Sequence, residues 1–417
     1  MRQAPRVLIT TQVFPPEIHP TAVMAAELAA GLARRGLDVT VAAGRPHHPT
    51  GNAAPGYGGL WRSDAADGYR VVRLWHPTFE SRRIAVRAWV MATQMVSTTI
   101  AAAMSGRPDV VLSFGGPPLV GPVLSGLLAG AWGAPLVTVI HDLYPDVAVE
   151  SGAVRSSVLI GAARLAERLQ YRLSDRLIVL GETTRDLLVE AHGIPTERLS
   201  VLPVWLDPDE IRPGPRDNAW RREAGIGSDR FVVLYSGTAG IVSGAGVLEE
   251  VSRLVDDDVD LVLVGGGAAW KALDDRRRSG ALPPNVRLYP YQPRERLAEV
   301  QAASDLSLLT LLPGRGRTSV PSKLQGYMAA GRPVLASVDD ACDSSILVRR
   351  GGFGLVVPPC DARAIADGIR EARRDPARLG AWGASARSVF ERENAREPIV
   401  DRYADLLREA IRARAPS

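Results

Sequence analysis

Apolar runs alternate with helical patterns along the first half of the chain. The run RVLITT at 6–11 is followed by a helical pattern at about 22–35, which ends at Gly36. Further apolar runs occur at 39–43, 69–75, 110–114, 136–140 and 176–180. The last three are apolar on both faces, as strands buried in a parallel sheet are. The pattern predicts a parallel sheet whose strands are joined by crossover helices.

A proline-rich segment at 203–215 interrupts this pattern, which then starts again. The segment has four prolines and little periodicity, as is typical of a linker. Apolar runs follow at 231–235, 260–264, 286–289, 306–309, 334–336 and 354–357, with helical patterns at about 247–255, 363–373 and 381–413. We therefore predict an α/β protein with two Rossmann-like parallel-sheet domains facing each other across a cleft.

Three segments follow from this division of the chain. An N-terminal domain is expected at 1–204 and a C-terminal domain at 205–392. A C-terminal helix at 393–417 is expected to pack back on the N-terminal domain. The length of 417 residues suits two cores of ordinary size.

The composition narrows the class of protein. Hydrophobic residues make up 46% and charged residues 23%, as in globular proteins, and the formal net charge of +4 gives little support to a nucleic-acid partner. Cys342 and Cys360 lack a metal-site spacing, and nothing at the start resembles a signal peptide. No apolar run reaches the roughly 20 residues of a membrane span. We expect a cytoplasmic protein that does not cross a membrane.

Two glycine turns follow apolar runs in the second half of the chain. Gly237 and Thr238 lie in the first turn, and Gly265 and Gly267 in the second, with Lys271 in the helix after it. Glycines allow a ligand close to the backbone, and a helix N-terminus attracts anions. Neither turn has the G-x-G-x-x-G spacing of a dinucleotide site. We predict a phosphate-bearing ligand here, with turns that need glycine for shape alone as the alternative.

The segment from Arg317 to Val334 is the most informative part of the sequence. Ser322 is placed to open a helix, Lys323 lies in its first turn, and Gly331 ends it. A cation in the first turn opposes the helix dipole, so a bound anion is expected to compensate. The chain has only two lysines among its 50 basic residues, and a compact ammonium suits a phosphate oxygen. The alternative is a chance exposed lysine.

Short motifs spread over nearly the whole chain carry a family resemblance. They are Phe14-Pro-Pro-Glu17, His141-Asp142-Leu-Tyr-Pro145-Asp146, the turns at Gly237 and Gly265, Pro321-Ser322-Lys323, and Tyr327-Met-Ala-Ala-Gly331. Together they resemble the retaining GT-B glycosyltransferases of family 4, and in particular the WbuB/WcaI-like branch that builds surface polysaccharides. The last of these motifs is highly specific.

The resemblance implies roles for individual residues. In such enzymes the C-terminal domain binds the nucleotide diphosphate and the N-terminal domain the acceptor. Lys323, helped by Arg317 or Arg315, would neutralise the leaving diphosphate, with Ser322 and Lys271 also on the donor side. Catalytic roles fall to His141, near the donor sugar, and Asp142, near hydroxyl groups; a structural histidine is the alternative.

The loop after the first strand is expected to meet the diphosphate or the acceptor through Glu17 and His19. A glutamate that is merely solvated is the alternative for Glu17. Two positions depart from the family pattern, because Thr318 and Gly326 stand where many members have glutamates. Donor recognition would then fall to other groups, such as Asp339, Asp340 or the backbone.

The activity implied is that of a retaining, hexosyltransferase-type enzyme. It would move a sugar from a UDP- or GDP-sugar to a hydroxyl of a growing saccharide, plausibly linked to polyprenyl diphosphate. No metal or other cofactor is expected, because an Asp-x-Asp motif is absent where a metal-bridged diphosphate would need one. A non-catalytic GT-B scaffold or activator, and a nucleotide-sugar epimerase of the same shape, are the alternatives.

An uncharged helical run at 88–104 follows Arg82, Arg83 and Arg87 and contains Trp89. Apolar helices with basic flanks and an aromatic residue lie at membrane surfaces. This favours a peripheral position on the inner face of the cell membrane. A buried crossover helix is the alternative.

Overall fold

The computed structural model describes residues 4–17, 19–47, 51–79, 83–115, 119–145, 156–316 and 322–414. The chain divides into two compact units, Met1–Leu202 with Ile399–Ser417, and Pro203–Pro398. The division falls where the proline-rich segment begins. Over the described ranges, every helix is too short or too polar to cross a bilayer.

The first unit is built on a mainly parallel sheet. Its strands are β1 Arg6–Thr11, β2 Asp38–Ala43, β3 Trp61–Ala66, β4 Tyr69–Leu74, β5 Val110–Ser113, β6 Leu136–Ile140, β7 Arg176–Val179 and β8 Leu199–Val201. Its helices are Pro20–Arg34, Ile84–Met104, Val120–Trp132, Ser157–Leu173 and Glu182–His192. The strand order is β3-β4-β2-β1-β5-β6-β7-β8, and only the β3–β4 pair is antiparallel. The order reverses between β1 and β5, as in doubly wound folds.

The hairpin of β3 and β4 was not predicted, because β3 is an exposed edge strand without an apolar run. Its turn carries a recognisable signal. Asp67 and Gly68 have φ angles of 48° and 83°, and Asp-Gly is a favoured pair for two-residue hairpin turns. The three-residue strand β8 is too short to give a pattern of its own.

The second unit has a wholly parallel sheet. Its strands are β9 Phe231–Thr238, β10 Val259–Gly266, β11 Val286–Pro290, β12 Leu306–Thr310, β13 Val334–Ser337 and β14 Gly354–Val357. Its helices are Ala219–Glu223, Leu248–Val251, Ala268–Arg278, Leu297–Ala302, Lys323–Ala329, Asp343–Gly351, Ala362–Arg373 and Pro376–Glu393. The order β11-β10-β9-β12-β13-β14 is that of a Rossmann sheet, which reverses between β9 and β12. Ligands of such sheets bind beside this reversal.

The proline-rich segment is packed rather than free. Leu206 accepts a hydrogen bond from Arg396 N and donates one from its own N–H to Asn394 O, both of 3.0 Å. Trp205 and Ile211 in the same segment are buried. The segment is therefore part of the second unit instead of forming an unattached linker.

The helical pattern at 381–413 is two helices, Pro376–Glu393 and Arg396–Arg414, separated where residue 395 bridges to Leu206. The second of these helices starts in the second unit, and its residues from Ile399 belong to the first. Val400 packs on Gly31, where an added Cβ would lie 2.7 Å from the valine. Asp401 accepts a hydrogen bond of 2.6 Å from Arg35 Nε.

Candidate functional site

Two glycine turns lie against each other at the carboxyl ends of β9 and β10. Gly237, Gly265 and Gly267 have φ angles of 116°, 149° and 108°, a region that glycine adopts without strain. A Cβ on Gly265 would lie 2.1 Å from the carbonyl oxygen of Gly237. Glycine is therefore required both for the backbone angle and for the contact between the turns.

Hydrogen bonds join the same two turns. Ala239 N donates to Gly266 O at 2.7 Å, and Ala269 N donates to Ala239 O at 2.9 Å. Ala269 lies in the first turn of the helix Ala268–Arg278, so one N–H group that a phosphate would use is already engaged. Lys271 in this helix is exposed. The two turns are held together by these hydrogen bonds. The helix Ala268–Arg278, however, has fewer free N–H groups at its start for an anion than its sequence indicates.

Lys323 lies directly beside the Gly237 turn. A Cβ on Gly237 would lie 3.2 Å from Lys323 Cε, and the Nζ atom is 5.3 Å from the centre of the Tyr235 ring. The side chain is half-buried, and this burial lowers its pKa. Across the part of the chain that the structure describes, no carboxylate forms an ion pair with it, and burial alone accounts for the shift. An anion bound at the turn would supply the missing counter-charge.

Tyr327 holds the helix Lys323–Ala329 at the reversal of strand order. The tyrosine is fully buried. Its hydroxyl accepts a hydrogen bond of 3.0 Å from Ser236 N on β9 and donates one of 3.2 Å to Leu308 O on β12. One side chain thus joins the two strands between which ligands of open parallel sheets bind. The start of its helix, and with it Lys323, is placed at that edge.

A separate set of residues lies at the carboxyl edge of the first sheet. His141 follows β6, and its ring meets Phe114 edge-to-face with centroids 5.1 Å apart. Its Nε2 atom is buried and finds no hydrogen-bond partner among the described residues. Burial, assisted by the charge of His19, lowers the pKa of His141 to about 4. The imidazole is therefore neutral at neutral pH, and its Nε2 atom is left without a hydrogen-bond partner among the described residues.

Comparison with known proteins identifies the kind of protein that has this architecture. The model of the glycosyl transferase 4-like domain matches residues 21–205, and that of the glycosyl transferases group 1 matches residues 230–375. The chain belongs to the family-4 type of glycosyltransferases.

Individual relatives agree with this membership. WbjE of Pseudomonas aeruginosa, named as a glycosyltransferase, is 29% identical over 309 residues, which are 72% of this chain and 75% of WbjE. The colanic acid biosynthesis glycosyl transferase WcaI of Escherichia coli is 22% identical over 408 residues, 95% of this chain and 99% of WcaI. The structure of Anabaena HepE in complex with UDP superposes with a TM-score of 0.67 at 17% identity, covering 97% of this chain and all of HepE. The fold of this transferase is GT-B, with two Rossmann-like domains.

The glycosyltransferase holds its first loop together through Glu17. The carboxylate is buried and accepts hydrogen bonds from Phe14 N at 3.2 Å and His47 N at 3.0 Å. Glu17 is therefore not a solvated residue. Its two carboxylate oxygens accept backbone hydrogen bonds that stabilise the conformation of the loop. His19 caps the helix Pro20–Arg34, since its Nδ1 accepts a hydrogen bond of 3.2 Å from Thr21 N. Both residues shape the loop, and contact with a ligand stays a prediction for them.

Asp142 is exposed beside His141, and partial loss of water around its carboxyl group raises its pKa. On the donor side, Ser322 is the N-cap residue of the helix Lys323–Ala329, as predicted, although its side chain makes no capping hydrogen bond. Arg315 is half-buried in the loop after β12. Arg317, together with Asp146, Thr318 and Pro321 of the family motifs, lies outside the described residues.

Asp339 and Asp340, the alternatives for donor recognition, are engaged within the protein. Asp339 accepts hydrogen bonds from the N–H groups of Gly314 at 3.0 Å and Gly316 at 2.9 Å. Asp340 forms an ion pair with Arg349. Asp339 thus anchors the loop that leads towards residue 317, which is a positioning role.

Gly326 is buried inside the helix Lys323–Ala329. A Cβ there would lie 3.4 Å from Gln301 Nε2 and 3.8 Å from Ile211. A longer side chain at this position would therefore meet the interior of the unit as it is packed here. The glycine that stands where many family members have a glutamate is thus buried, and an added Cβ would make ordinary van der Waals contacts there.

Tyr291 was not predicted as part of the site. It follows β11, is exposed, and shares a hydrogen bond of 2.8 Å between its hydroxyl and Thr238 Oγ1. A Cβ on Gly266 would lie 2.6 Å from its ring, so the tyrosine covers the glycine turn. Its position one residue beyond a strand end was the available signal, because carboxyl ends of parallel strands share one edge.

Among the described residues no three His, Cys, Asp or Glu side chains are grouped as a metal site requires.

Proposed function

We propose that this glycosyltransferase moves a sugar from a UDP- or GDP-sugar to a hydroxyl of a growing saccharide, with retention of configuration. The observation that carries the proposal is the half-buried Lys323 beside the Gly237 turn, without a carboxylate partner among the described residues. A buried cation without a counter-ion is costly. A nucleotide diphosphate supplies the charge that this position lacks.

Departure of the diphosphate is the step that this arrangement assists. As the bond between the sugar C1 and the phosphate oxygen breaks, negative charge grows on the leaving group. A cation held in place before the reaction stabilises that charge without having to reorganise. Tyr327 and the joined glycine turns restrict the position of Lys323, which makes the stabilisation efficient.

His141 has the properties of a hydrogen-bonding group rather than a cation. Because its pKa is about 4, it is neutral at neutral pH, and its Nε2 atom lacks a partner among the described residues. We assign it a hydrogen bond to a hydroxyl of the donor sugar, with Asp142 directed to donor or acceptor hydroxyls. In a front-face reaction the acceptor oxygen bonds to C1 as the diphosphate leaves, and the acceptor proton passes to the departing phosphate oxygen.

Two comparisons support the nature of the substrates. Anabaena HepE, which shares the fold, has been solved with UDP and with UDP-glucose. WcaI is named for colanic acid biosynthesis, which supports a role in making polysaccharides or glycoconjugates. We extend this to an acceptor linked to polyprenyl diphosphate, used at the inner face of the cell membrane, and to a reaction that needs no metal.

The test is calorimetric titration of the purified protein with UDP and GDP, followed by the variant Lys323→Ala. A charged hydrogen bond contributes about 1.5–3 kcal/mol, so Lys323→Ala should weaken binding about tenfold or more. Lys323→Arg keeps the charge but not the compact ammonium and should recover only part of the affinity. Lys271→Ala, at the exposed second lysine, is the matched comparison and should have a smaller effect.

Absence of binding by either nucleotide would contradict the proposed donor. Equal affinities of Lys323→Ala and the wild type would remove the lysine from the site. Retention is checked separately, by NMR of the new glycosidic bond: an anomeric configuration opposite to that of the donor would contradict it.

A further inference from the structure

A pocket of about 140 Å³ lies beside the hairpin of β3 and β4 in the first unit. Aromatic and arginine side chains line it: Tyr57, Trp61 and Trp75 with Arg45, Arg62 and Arg73. Arg45 and Trp75 follow the carboxyl ends of β2 and β4, which are parallel neighbours in the sheet. Ligands of open α/β sheets bind at this edge. We call this the hairpin pocket.

The hairpin directs two of the arginines to the same side. Arg62 lies opposite Arg73 in the antiparallel register, so both side chains project from one face of the hairpin. Their guanidinium carbons lie 4.5 Å and 5.2 Å from the centre of the Tyr57 ring. Trp75 is two residues after Arg73 and therefore shares its face. Cations and aromatic rings are thus held side by side at the pocket.

Arg73 is the buried cation of this group, with 4% of the residue exposed. It donates a hydrogen bond of 2.6 Å from Nη2 to Pro15 O, and its Nη1 lies 3.6 Å from the Asp64 carboxylate. Its Nε atom is buried and has no hydrogen-bond partner among the described residues. Burial lowers the pKa of Arg73 even though Asp64 is close. The carboxylates around Arg73 therefore do not fully offset its burial.

Arg45 lines the pocket without a carboxylate partner in the part of the chain that the structure describes. It donates hydrogen bonds to two main-chain oxygens, from Nε to Tyr57 O at 2.5 Å and from Nη1 to His76 O at 3.4 Å. Its main-chain N–H donates to His76 Nε2 at 2.9 Å. These contacts fix its position but leave its charge unpaired.

The carboxylates near the pocket are already engaged. Arg62 Nε donates to both oxygens of Asp64, at 3.0 Å and 2.7 Å. Glu17 also acts on the charge of Arg73, but its oxygens accept main-chain hydrogen bonds in the first loop. The three arginines that line the pocket therefore retain an excess of positive charge over these two carboxylates.

The exposed indoles complete the chemistry of the pocket. Trp75 is 45% exposed and Trp61 39% exposed, although both rings are large and apolar. A sugar ring has an apolar side made of C–H groups, which an indole can cover. A carboxylate or phosphate on that ring is bound well by guanidinium groups, which present paired donors.

We propose that the hairpin pocket binds a sugar residue that carries a negative charge, as a carboxylate or a phosphate. The inference rests on the proposed function and deepens it, because it assigns an acidic residue to the acceptor saccharide. A neutral sugar would use the indoles but would leave the charges of Arg45 and Arg73 uncompensated.

Calorimetric titration with three small sugars, in the absence of any nucleotide, tests the proposal. Methyl glucuronide and methyl glucoside differ in a carboxylate that replaces a hydroxymethyl group, and glucose 6-phosphate carries the charge as phosphate. At least one of the charged sugars should bind about tenfold or more tightly than the glucoside. The tighter of the two charged sugars identifies the acidic group. Because no nucleotide is present, the result is independent of the titration with UDP and GDP.

Variants at accessible positions locate the binding without disturbing buried Arg73. Arg45→Gln should weaken binding of the preferred charged sugar about tenfold and leave the glucoside little changed. Trp75→Ala should weaken binding of charged and neutral sugars alike. Arg70→Gln is the matched control, since Arg70 is exposed and lies on the opposite face of β4, and it should bind as the wild type does.

Three results would overturn the proposal. One is the absence of binding by any of the three sugars, and another is equal affinity for the charged sugars and the glucoside. The third is an equal loss of affinity in Arg45→Gln and Arg70→Gln, which would mean that the charge of the pocket is not what the ligand recognises.

Discussion

Acidification should destabilise the first unit because His141 is buried in its neutral form. The pKa of His141 in the folded protein is about 4, below the ordinary value of 6.5. The unfolded chain therefore binds a proton in the pH range from 6.5 to 4 where the folded chain does not. The stability that this histidine permits is present above pH 6.5, is lost as the pH falls towards 4, and does not change further below that.

The size of the effect follows from the two pKa values. Between pH 7 and pH 5, one such histidine lowers the free energy of unfolding by about 2 kcal/mol, and by about 3 kcal/mol below pH 4. His76 is a matched case, since burial lowers its pKa to about 4 as well. Unlike His141 Nε2, its Nε2 atom already accepts a hydrogen bond of 2.9 Å, from Arg45 N. The two histidines together predict a loss of about 4 kcal/mol between pH 7 and pH 5.

Hydrogen exchange of the amides of β1 and β5 reports the opening of the first unit without interference from the second. In the variant His141→Gln, the loss of opening free energy between pH 7 and pH 5 should shrink by about 2 kcal/mol. His76→Gln should show a similar reduction together with lower stability at pH 7, because it breaks a hydrogen bond. The reasoning is refuted if His141→Gln and the wild type show the same pH dependence. An NMR titration of the His141 ring with a midpoint near 6.5 would refute it equally.

Two further predictions concern the second unit. Tyr327→Phe leaves the buried N–H group of Ser236 without its partner and should cost about 1–3 kcal/mol in urea unfolding; unchanged stability would show that the hydroxyl bridge is unimportant. Gly237→Ala strains a backbone with φ of 116° and displaces Lys323, so it should weaken UDP or GDP binding in calorimetry. Gly246→Ala, where an added Cβ has open space, is its control, and equal affinities for the two variants would contradict the role given to the turn.

The sheets were largely predictable from the sequence because buried parallel strands are apolar on both faces. Strands such as β1, β6 and β14 begin and end where their apolar runs do. Elements that rely on tertiary contacts were not predictable in the same way. The helix expected at 247–255 is confined to Leu248–Val251, preceded by a short 3-10 turn after Gly244.

Individual residues of the candidate site could be identified from the sequence, but the contacts between them could not. The sequence marks Lys323 and Gly237 separately, by residue type and position, but their adjacency depends on how Tyr327 ties its helix to β9 and β12. The internal role of Glu17 was also hidden, because its partners are backbone N–H groups that any sequence provides. Tyr291 belongs to no motif, and only the strand order brings it over the glycine turn.

The helix Arg396–Arg414 has a consequence for how the protein is made. Its residues from Ile399 complete the first unit, although they are synthesised after the whole of the second. On the ribosome, all of Pro203–Pro398 is synthesised before Val400, which packs on Gly31 of the first unit. The first unit therefore cannot acquire all of its contacts until the last residues of the chain have been synthesised.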